Sequence, residues 1–69
     1  MLKLFSDGGV VGKNPSKLGG TWAWCLVDGN KILESDCGII TPDDIEMPTV
    51  TNNVTELLAA VLGLDAMGP

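Results

Sequence analysis

The sequence predicts an α/β domain in which a three-stranded antiparallel meander is followed by one helix. Three observations support this prediction. Apolar residues recur along segments 21–27 and 32–40, and the Asp-Gly-Asn-Lys segment at 28–31 between them is typical of a hairpin turn. An apolar helical pattern begins near 52–53 and runs toward 67. Because the chain has 69 residues, we expect a single small domain with a limited core.

Composition and charge exclude several classes of protein. Nine Asp and Glu against four Lys and Arg give a net charge of −5, the wrong sign for binding nucleic acid through a generally basic surface. The longest apolar run is far shorter than the ~18 to 20 residues of a membrane span, and the segment after Met1 lacks the pattern of a signal peptide. We therefore expect a cytoplasmic protein with no membrane partner. Without histidine, the chain cannot form a His-based nucleophile triad or a His-ligated zinc site.

The first strand is predicted over residues 2–6, followed by a glycine-rich turn over 8–20. Leu2, Leu4 and Phe5 make this strand apolar on both faces, as in a strand that lies inside a sheet. We therefore expect the chain to be the opening half of a larger fold, or to complete itself as a homodimer through the strand edge or the outer face of the helix.

The hairpin turn also predicts a register for the second and third strands. If residues 29 and 30 form a two-residue loop, Leu26 pairs with Leu33 and Trp22 pairs with Cys37. Cys25 then lies on the opposite face from Cys37, so we expect two reduced thiols packed as small apolar groups. The face toward the core is expected to carry Trp22, Trp24, Leu26, Leu33, Cys37 and Ile39.

Two apolar stripes are compatible with the helix, which is expected to end at Gly68-Pro69. The first stripe forms a face that has Asp65 in its middle. The second keeps Asp65 outside and directs Leu58 and Leu62 away from the sheet, and we expect this one to face the core. The first stripe contains Val54, Leu57, Leu58, Val61 and Leu62; the second contains Leu57, Ala60, Val61, Leu64 and Met67.

Two acidic residues are candidate ligands for a divalent cation. Asp7 closes the first predicted strand and precedes two glycines that leave space for a ligand, and Glu56 lies in the first helical turn beside the inward face. Their carboxylate oxygens are hard ligands that suit Mg²⁺ or Mn²⁺. The structural alternatives stay open. Glu56 follows Asn53 at the spacing of a helix cap with an acidic partner, the more common role for that spacing, and Asp7 before Gly8 also fits an ordinary turn.

Three asparagines are candidates for nucleic-acid contacts. Asn14, Asn52 and Asn53 can both donate and accept hydrogen bonds, which suits sugar hydroxyls and base edges in a minor groove. They are equally typical of turns and helix caps, and capping is the favoured role for Asn53. The acidic segment 43–46 is expected to lie in a solvated loop over 41–50.

The sequence of these elements resembles the amino-terminal half of ribonuclease H. The shared motifs are Phe-Ser-Asp-Gly-Gly at 5–9, Asn-Pro at 14–15, Gly-Gly at 19–20 and Thr-Asn-Asn-Val-Thr-Glu-Leu-Leu-Ala-Ala at 51–60. The match covers nearly all 69 residues. It implies a ribonuclease H-like fold, of which residues 1–69 would be a partial domain containing the first three strands and the first helix.

By this resemblance, the protein would be an endonuclease that hydrolyses the RNA strand of an RNA–DNA hybrid. Asp7 and Glu56 would be catalytic, and together with Gly8 they would form the metal site. Two Mg²⁺ or Mn²⁺ ions in the complete site would polarise the phosphate, generate the attacking hydroxide and stabilise the departing 3′ oxygen. The residues that would contact the minor groove of the hybrid are Asn14, Asn52 and Asn53.

The remaining catalytic groups of the family are not found in these residues. The third carboxylate of the family lies on a strand after this helix, and the fourth, with a nearby histidine, lies further on. The resemblance therefore implies that this polypeptide alone is inactive. Two alternatives remain: a catalytically silent ribonuclease H-like binding module, and the start of an actin-like or sugar-kinase ATPase, to whose pattern the Asn-Asn-x-x-Glu helix does not belong.

Overall fold

The computed structural model describes residues 1–68, and its elements follow the predicted order. Strand β1 spans Leu2–Val10, strand β2 spans Gly20–Asp28, strand β3 spans Lys31–Ile40, and helix α1 spans Asn52–Met67. The three strands form one antiparallel sheet in the order β1-β2-β3, so β1 and β3 are its edges. The predicted meander followed by a helix is therefore confirmed.

Strand β1 is longer than predicted. The expectation ended it at residue 6, whereas it continues to Val10, and Asp7 lies inside the strand, paired with Ala23. The two glycines after Asp7 stay in the ladder, with Gly8 paired to Trp22, because the backbone there remains extended instead of turning.

The predicted hairpin turn is confirmed, but the pairing beyond it is not. A β-bulge between Leu26 and Val27 shifts the register by one residue, so Trp22 pairs with Gly38 and not with Cys37. A Cβ atom at position 38 would lie 2.5 Å from Cζ2 of Trp22. The bulge therefore places a glycine where the indole needs space, and the sequence pattern alone did not reveal this steric requirement.

Beyond the bulge, the side chains of β3 lie on the opposite face of the sheet from the one predicted. Leu33, Cys37 and Ile39 were expected in the core, but all three are exposed, and 73% of Ile39 is accessible to solvent. Because Cys37 pairs with Ala23, it shares a face with Cys25, contrary to the prediction. Both cysteines are free, as expected, although Cys25 is half-buried and Cys37 is exposed.

Helix α1 packs on β1 and β2 through its small residues, which overturns the predicted stripe. Thr55, Ala59 and Gly63 are the buried helical residues. A Cβ atom at Gly63 would lie 2.8 Å from Cδ1 of Leu4 and 3.1 Å from Cβ of Trp24, so the helix backbone rests directly on these side chains. This close approach requires small residues, whereas the prediction had assigned the large ones to the interface.

The large apolar residues of α1 fall into a half-buried group and an exposed group. Leu58 and Leu62, expected to point away from the sheet, are half-buried. An apolar outer face does exist on the helix, as expected, but it is formed by other residues. Its members, with their exposed fractions, are Leu57 (66%), Val61 (52%), Leu64 (59%) and Met67 (42%).

The core beneath the helix is small. Trp24 and Leu26 are buried there, as predicted, and Trp22 is half-buried. The other buried hydrophobic residues are Ile40, Val50 and Ala59.

The segment that joins the sheet to the helix is mostly exposed, as predicted, with a short 3₁₀ turn at Asp43–Ile45. The backbone N–H of Thr41 donates to Oδ2 of Asp44 at 2.8 Å, and this bond, with the Thr41 hydroxyl, holds the pKa of the carboxyl below its ordinary value. Val50 departs from the expectation, since it is wholly buried.

Helix α1 ends as expected at a glycine. Gly68 has a φ of 78°, and its N–H donates to the carbonyl of Asp65 at 3.0 Å. Pro69, the other half of the expected stop signal, lies outside the described residues. Among residues 1–68 there is no helix with both the length and the apolar character needed to cross a bilayer.

Candidate metal and nucleic-acid site

The predicted site is organised around Gly8, where β1 and α1 touch. A Cβ atom at position 8 would lie 2.5 Å from the backbone nitrogen of Glu56 and 2.6 Å from Oγ1 of Thr55. These distances are too short for any side chain, so the helix backbone can lie here only because the residue is glycine. The contact places the backbone of Gly8 directly against that of Thr55 and Glu56.

Thr55 fixes this contact from the helix side. Its side chain is wholly buried, and its hydroxyl donates to the carbonyl of Asn52 at 2.9 Å. Its Cγ2 lies 2.5 Å from the position of a Cβ atom at Gly20, so Thr55 is lodged between Gly8 and Gly20. Sequence reasoning did not single out Thr55, although a glycine in each of two paired strands was a usable signal for such a close approach.

Asp7 lies on the face of the sheet away from α1, because side chains alternate along a strand and Gly8 faces the helix. Asp7 is exposed and borders a cleft of about 520 Å³ whose lining on the same face includes Ala23 and Cys37. We call this face the open face. It carries Phe5, Asp7, Ala23, Cys25 and Cys37.

The two candidate carboxylates flank the edge strand β1. Glu56 is exposed on α1, whereas Asp7 is exposed on the open face. A cation bound by both would therefore lie beside the outer edge of β1. No strand covers that edge within residues 1–68.

The alternative in which Asn53 caps the helix, with Glu56 as its acidic partner, is wrong. The cap residue is Thr51, in an extended conformation, and its hydroxyl oxygen accepts from the N–H of Val54 at 3.2 Å. Asn53 lies inside the helix, which begins two residues earlier than a cap at Asn53 would require. Glu56 therefore has no part in the cap, and its side chain is exposed.

Two of the three predicted asparagines are brought together. Oδ1 of Asn14 accepts from the backbone N–H of Asn52 at 3.2 Å, which ties the β1–β2 connection to the first residue of α1. This bond is the cap-like role considered for Asn14, and it leaves the exposed amide group of that side chain beside the helix start. Asn53 is exposed one residue further along and does not take part in this bond.

Ser16 holds the β1–β2 connection in place, and sequence reasoning missed it. The residue is 2% exposed, and its hydroxyl donates to the carbonyl of Val11 at 2.6 Å while accepting from the N–H groups of Leu18 and Gly19 at 3.1 Å. Its backbone forms an antiparallel bridge with Val50, with two hydrogen bonds of 2.7 Å. These bonds hold the backbone in place at Ser16, two residues after Asn14.

The acidic residues can be compared with the needs of a divalent cation. Within residues 1–68, no group of three or more His, Cys, Asp or Glu side chains is placed to hold a metal ion. Mg²⁺ is commonly held by one or two carboxylates, with water and substrate phosphate oxygens completing its shell. Asp7 and Glu56 therefore have the right chemistry for one such ion but too little charge for two.

The fold and the site define a small α/β chain with two carboxylates flanking a sheet edge and a bonded pair of asparagines at the adjoining helix start. No family model matches the chain, and no curated protein or solved structure shows a significant similarity to it.

Proposed function

We propose that this chain belongs to a metal-dependent endonuclease that hydrolyses the RNA strand of RNA–DNA hybrids, in the manner of ribonuclease H. The observation that carries the proposal is the contact between Gly8 and the Thr55–Glu56 peptide, which joins the Asp-Gly strand to the Glu-bearing helix. The motifs at 5–9 and 51–60, distant in sequence, therefore meet at one place.

Each predicted site residue has a role in this proposal. Asp7 and Glu56 hold a Mg²⁺ or Mn²⁺ ion at the edge of β1, and when bound the ion supplies Lewis acidity toward a phosphate oxygen. Gly8 keeps the backbone free of side-chain atoms beside that ion. The amides of Asn14 and Asn52, with Asn53 next to them, contact the sugar edges of the minor groove.

We further propose that residues 1–69 alone do not turn over substrate. Two carboxylates supply two negative charges, whereas two divalent ions carry four positive charges and repel each other strongly at the spacing of a two-metal site. In the family that the chain resembles, the third carboxylate comes from a strand after this helix. The uncovered edge of β1 is available for such a strand.

Manganese binding tests the metal site without requiring turnover. Mn²⁺ titrated into ¹⁵N-labelled protein is expected to broaden the amide signals of Gly8, Gly9 and Glu56 before all others. Either Asp7→Asn or Glu56→Gln should weaken this effect at least about tenfold, which corresponds to about 1.4 kcal/mol of binding free energy, because each removes one of the two charged ligands.

Asp65→Asn is the matched control, since it removes an exposed acid from the same helix near its other end and changes the net charge equally. Equal broadening in all three variants would count against a site at Asp7 and Glu56. Separately, hybrid cleavage in Mg²⁺ by the 69-residue chain, lost in Asp7→Asn, would disprove the proposed inactivity of the chain alone.

A second candidate function is a catalytically silent module of the same fold that binds a duplex or a protein partner. The Asn14–Asn52 hydrogen bond favours it, because it holds the Asn14 side chain against the start of α1 through protein groups alone. Hybrid binding that survives Asp7→Asn unchanged, with no manganese broadening at Gly8, would support this candidate over the nuclease.

We also propose that the chain self-associates. Leu2 and Phe5 on the edge strand are 52% and 57% exposed, and the outer face of α1 is apolar. Sedimentation is expected to show dimers or larger species, and Val61→Glu should shift them toward monomer if the helix face is the interface. A wild-type chain that sediments as a stable monomer with a cooperative melt would contradict the proposal.

A further inference from the structure

The positive charges of this acidic chain are unevenly placed. The chain carries a net charge of −5, yet residues 8–27 contain no Asp or Glu and include Lys13 and Lys17. Both lysines lie in segment 11–18 of the β1–β2 connection, and we call this segment the lysine loop. They are exposed, so their ammonium groups are accessible to an anionic partner.

The lysine loop has a defined backbone. The buried hydroxyl of Ser16 bonds to the carbonyl of Val11 and to the N–H groups of Leu18 and Gly19, and the Ser16 backbone pairs with Val50. Because the backbone that carries the lysines is already ordered, binding does not require the loop to be fixed first. A cleft of about 340 Å³ in the loop includes Lys13 and Lys17 in its lining.

The lysine loop also lies at the end of the molecule that holds the candidate site. The bond from the Asn52 N–H to Asn14 sets the loop beside the start of α1, one helical turn before Glu56. The other two lysines are at the opposite end of the sheet, where Lys3 pairs with Val27 and Lys31 with Asp28.

We propose that Lys13 and Lys17 bind the backbone phosphates of a nucleic-acid duplex whose minor groove faces Asn14 and Asn52. This inference rests on the proposed function, since it names the groups that hold the substrate of that same site. A polyanion is repelled by the carboxylates of the site, and cations at the same end of the molecule offset the repulsion locally. Contacts to phosphate add affinity and orientation without reading sequence.

The salt dependence of binding tests this inference. Filter binding of a short RNA–DNA hybrid is measured over a series of NaCl concentrations for the wild type, for Lys13→Gln/Lys17→Gln, and for Lys3→Gln/Lys31→Gln. Each phosphate contact contributes about 0.7 to 0.9 to the slope of log K against log[NaCl], so the first double variant should lose about 1.5 from the slope. The second should keep the wild-type slope, although both variants lose two positive charges and have the same, more negative net charge.

Slopes that fall equally in the two double variants would overturn the inference, because net charge would then be responsible. The inference would also be overturned if the wild type binds no hybrid. The same would follow if binding of single-stranded RNA of the same sequence loses as much slope in Lys13→Gln/Lys17→Gln as binding of the hybrid does. Manganese broadening at Gly8 is measured on the same variants. Its absence, together with a slope change specific to the lysine loop, would reject the metal site while leaving the phosphate contacts in place.

Discussion

Replacing Gly8 with alanine is expected to push helix α1 off the sheet and to lower the free energy of unfolding by about 3 kcal/mol, the upper part of the range for overpacking a core. The added methyl group would meet backbone atoms of Thr55 and Glu56, and backbone cannot rotate away as a long side chain can. The total stability of a 69-residue chain is about 3 to 10 kcal/mol. The substitution therefore removes a large part of it.

Gly9→Ala is the matched control for this experiment. Its Cβ atom would lie 3.5 Å from Oγ1 of Thr21, an ordinary van der Waals contact, and the backbone at Gly9 is extended. Urea unfolding followed by circular dichroism should give a normal midpoint for Gly9→Ala and a much lower one for Gly8→Ala. Similar midpoints for the two variants would mean that α1 does not rest on Gly8.

Replacing Ser16 with alanine is expected to cost about 3 kcal/mol, since each buried polar group left without a partner costs about 1 to 3 kcal/mol. The hydroxyl serves one carbonyl and two N–H groups, and Gly19, which carries one of them, is buried. The variant loses all three bonds at once and leaves a void in a position that is 2% exposed. The lysine loop should then detach from Val50.

Amide hydrogen exchange separates this local effect from general unfolding. In Ser16→Ala, the amides of Gly19 and Val50 should exchange much faster, because their partners are lost or displaced, while the amide of Ala59 in the helix changes less. Ser35→Ala, at an exposed serine on β3, is the control and should unfold within about 0.5 kcal/mol of the wild type. Unchanged protection of Gly19 in Ser16→Ala would show that the hydroxyl does not hold the loop.

Local signals predicted the elements of the fold well because each has its own mark in the sequence. Gly29 marks the hairpin turn, alternating apolar residues mark the strands, and Gly68 marks the end of the helix. The β2–β3 register could not be predicted in this way. The register depends on the space that the Trp22 indole needs over position 38. This requirement arises from a contact between two strands, so neither strand shows it in its own sequence.

The helix interface was mispredicted for a related reason. Hydrophobicity favoured Leu57 and Leu64 as core residues, whereas the approach of α1 to Gly8 and to Trp24 admits only small side chains such as Ala59. In the candidate site, Asp7 and Glu56 could be singled out as acids beside glycine and helix signals. Ser16 could not, because its importance comes from hydrogen bonds that exist only once the connection is folded.

The two tryptophans have different surroundings, so the molecule has two intrinsic fluorophores that report on different contacts. Trp24 is buried under the helix beside Gly63, whereas Trp22 is half-buried and lies across Gly38 of the outer strand. In the Trp22→Phe variant, the emission of Trp24 reports on the docking of α1. In the Trp24→Phe variant, the emission of Trp22 reports on the pairing of β3 with β2. Time-resolved emission from the two single-tryptophan chains would therefore show whether helix and outer strand are released together or one after the other.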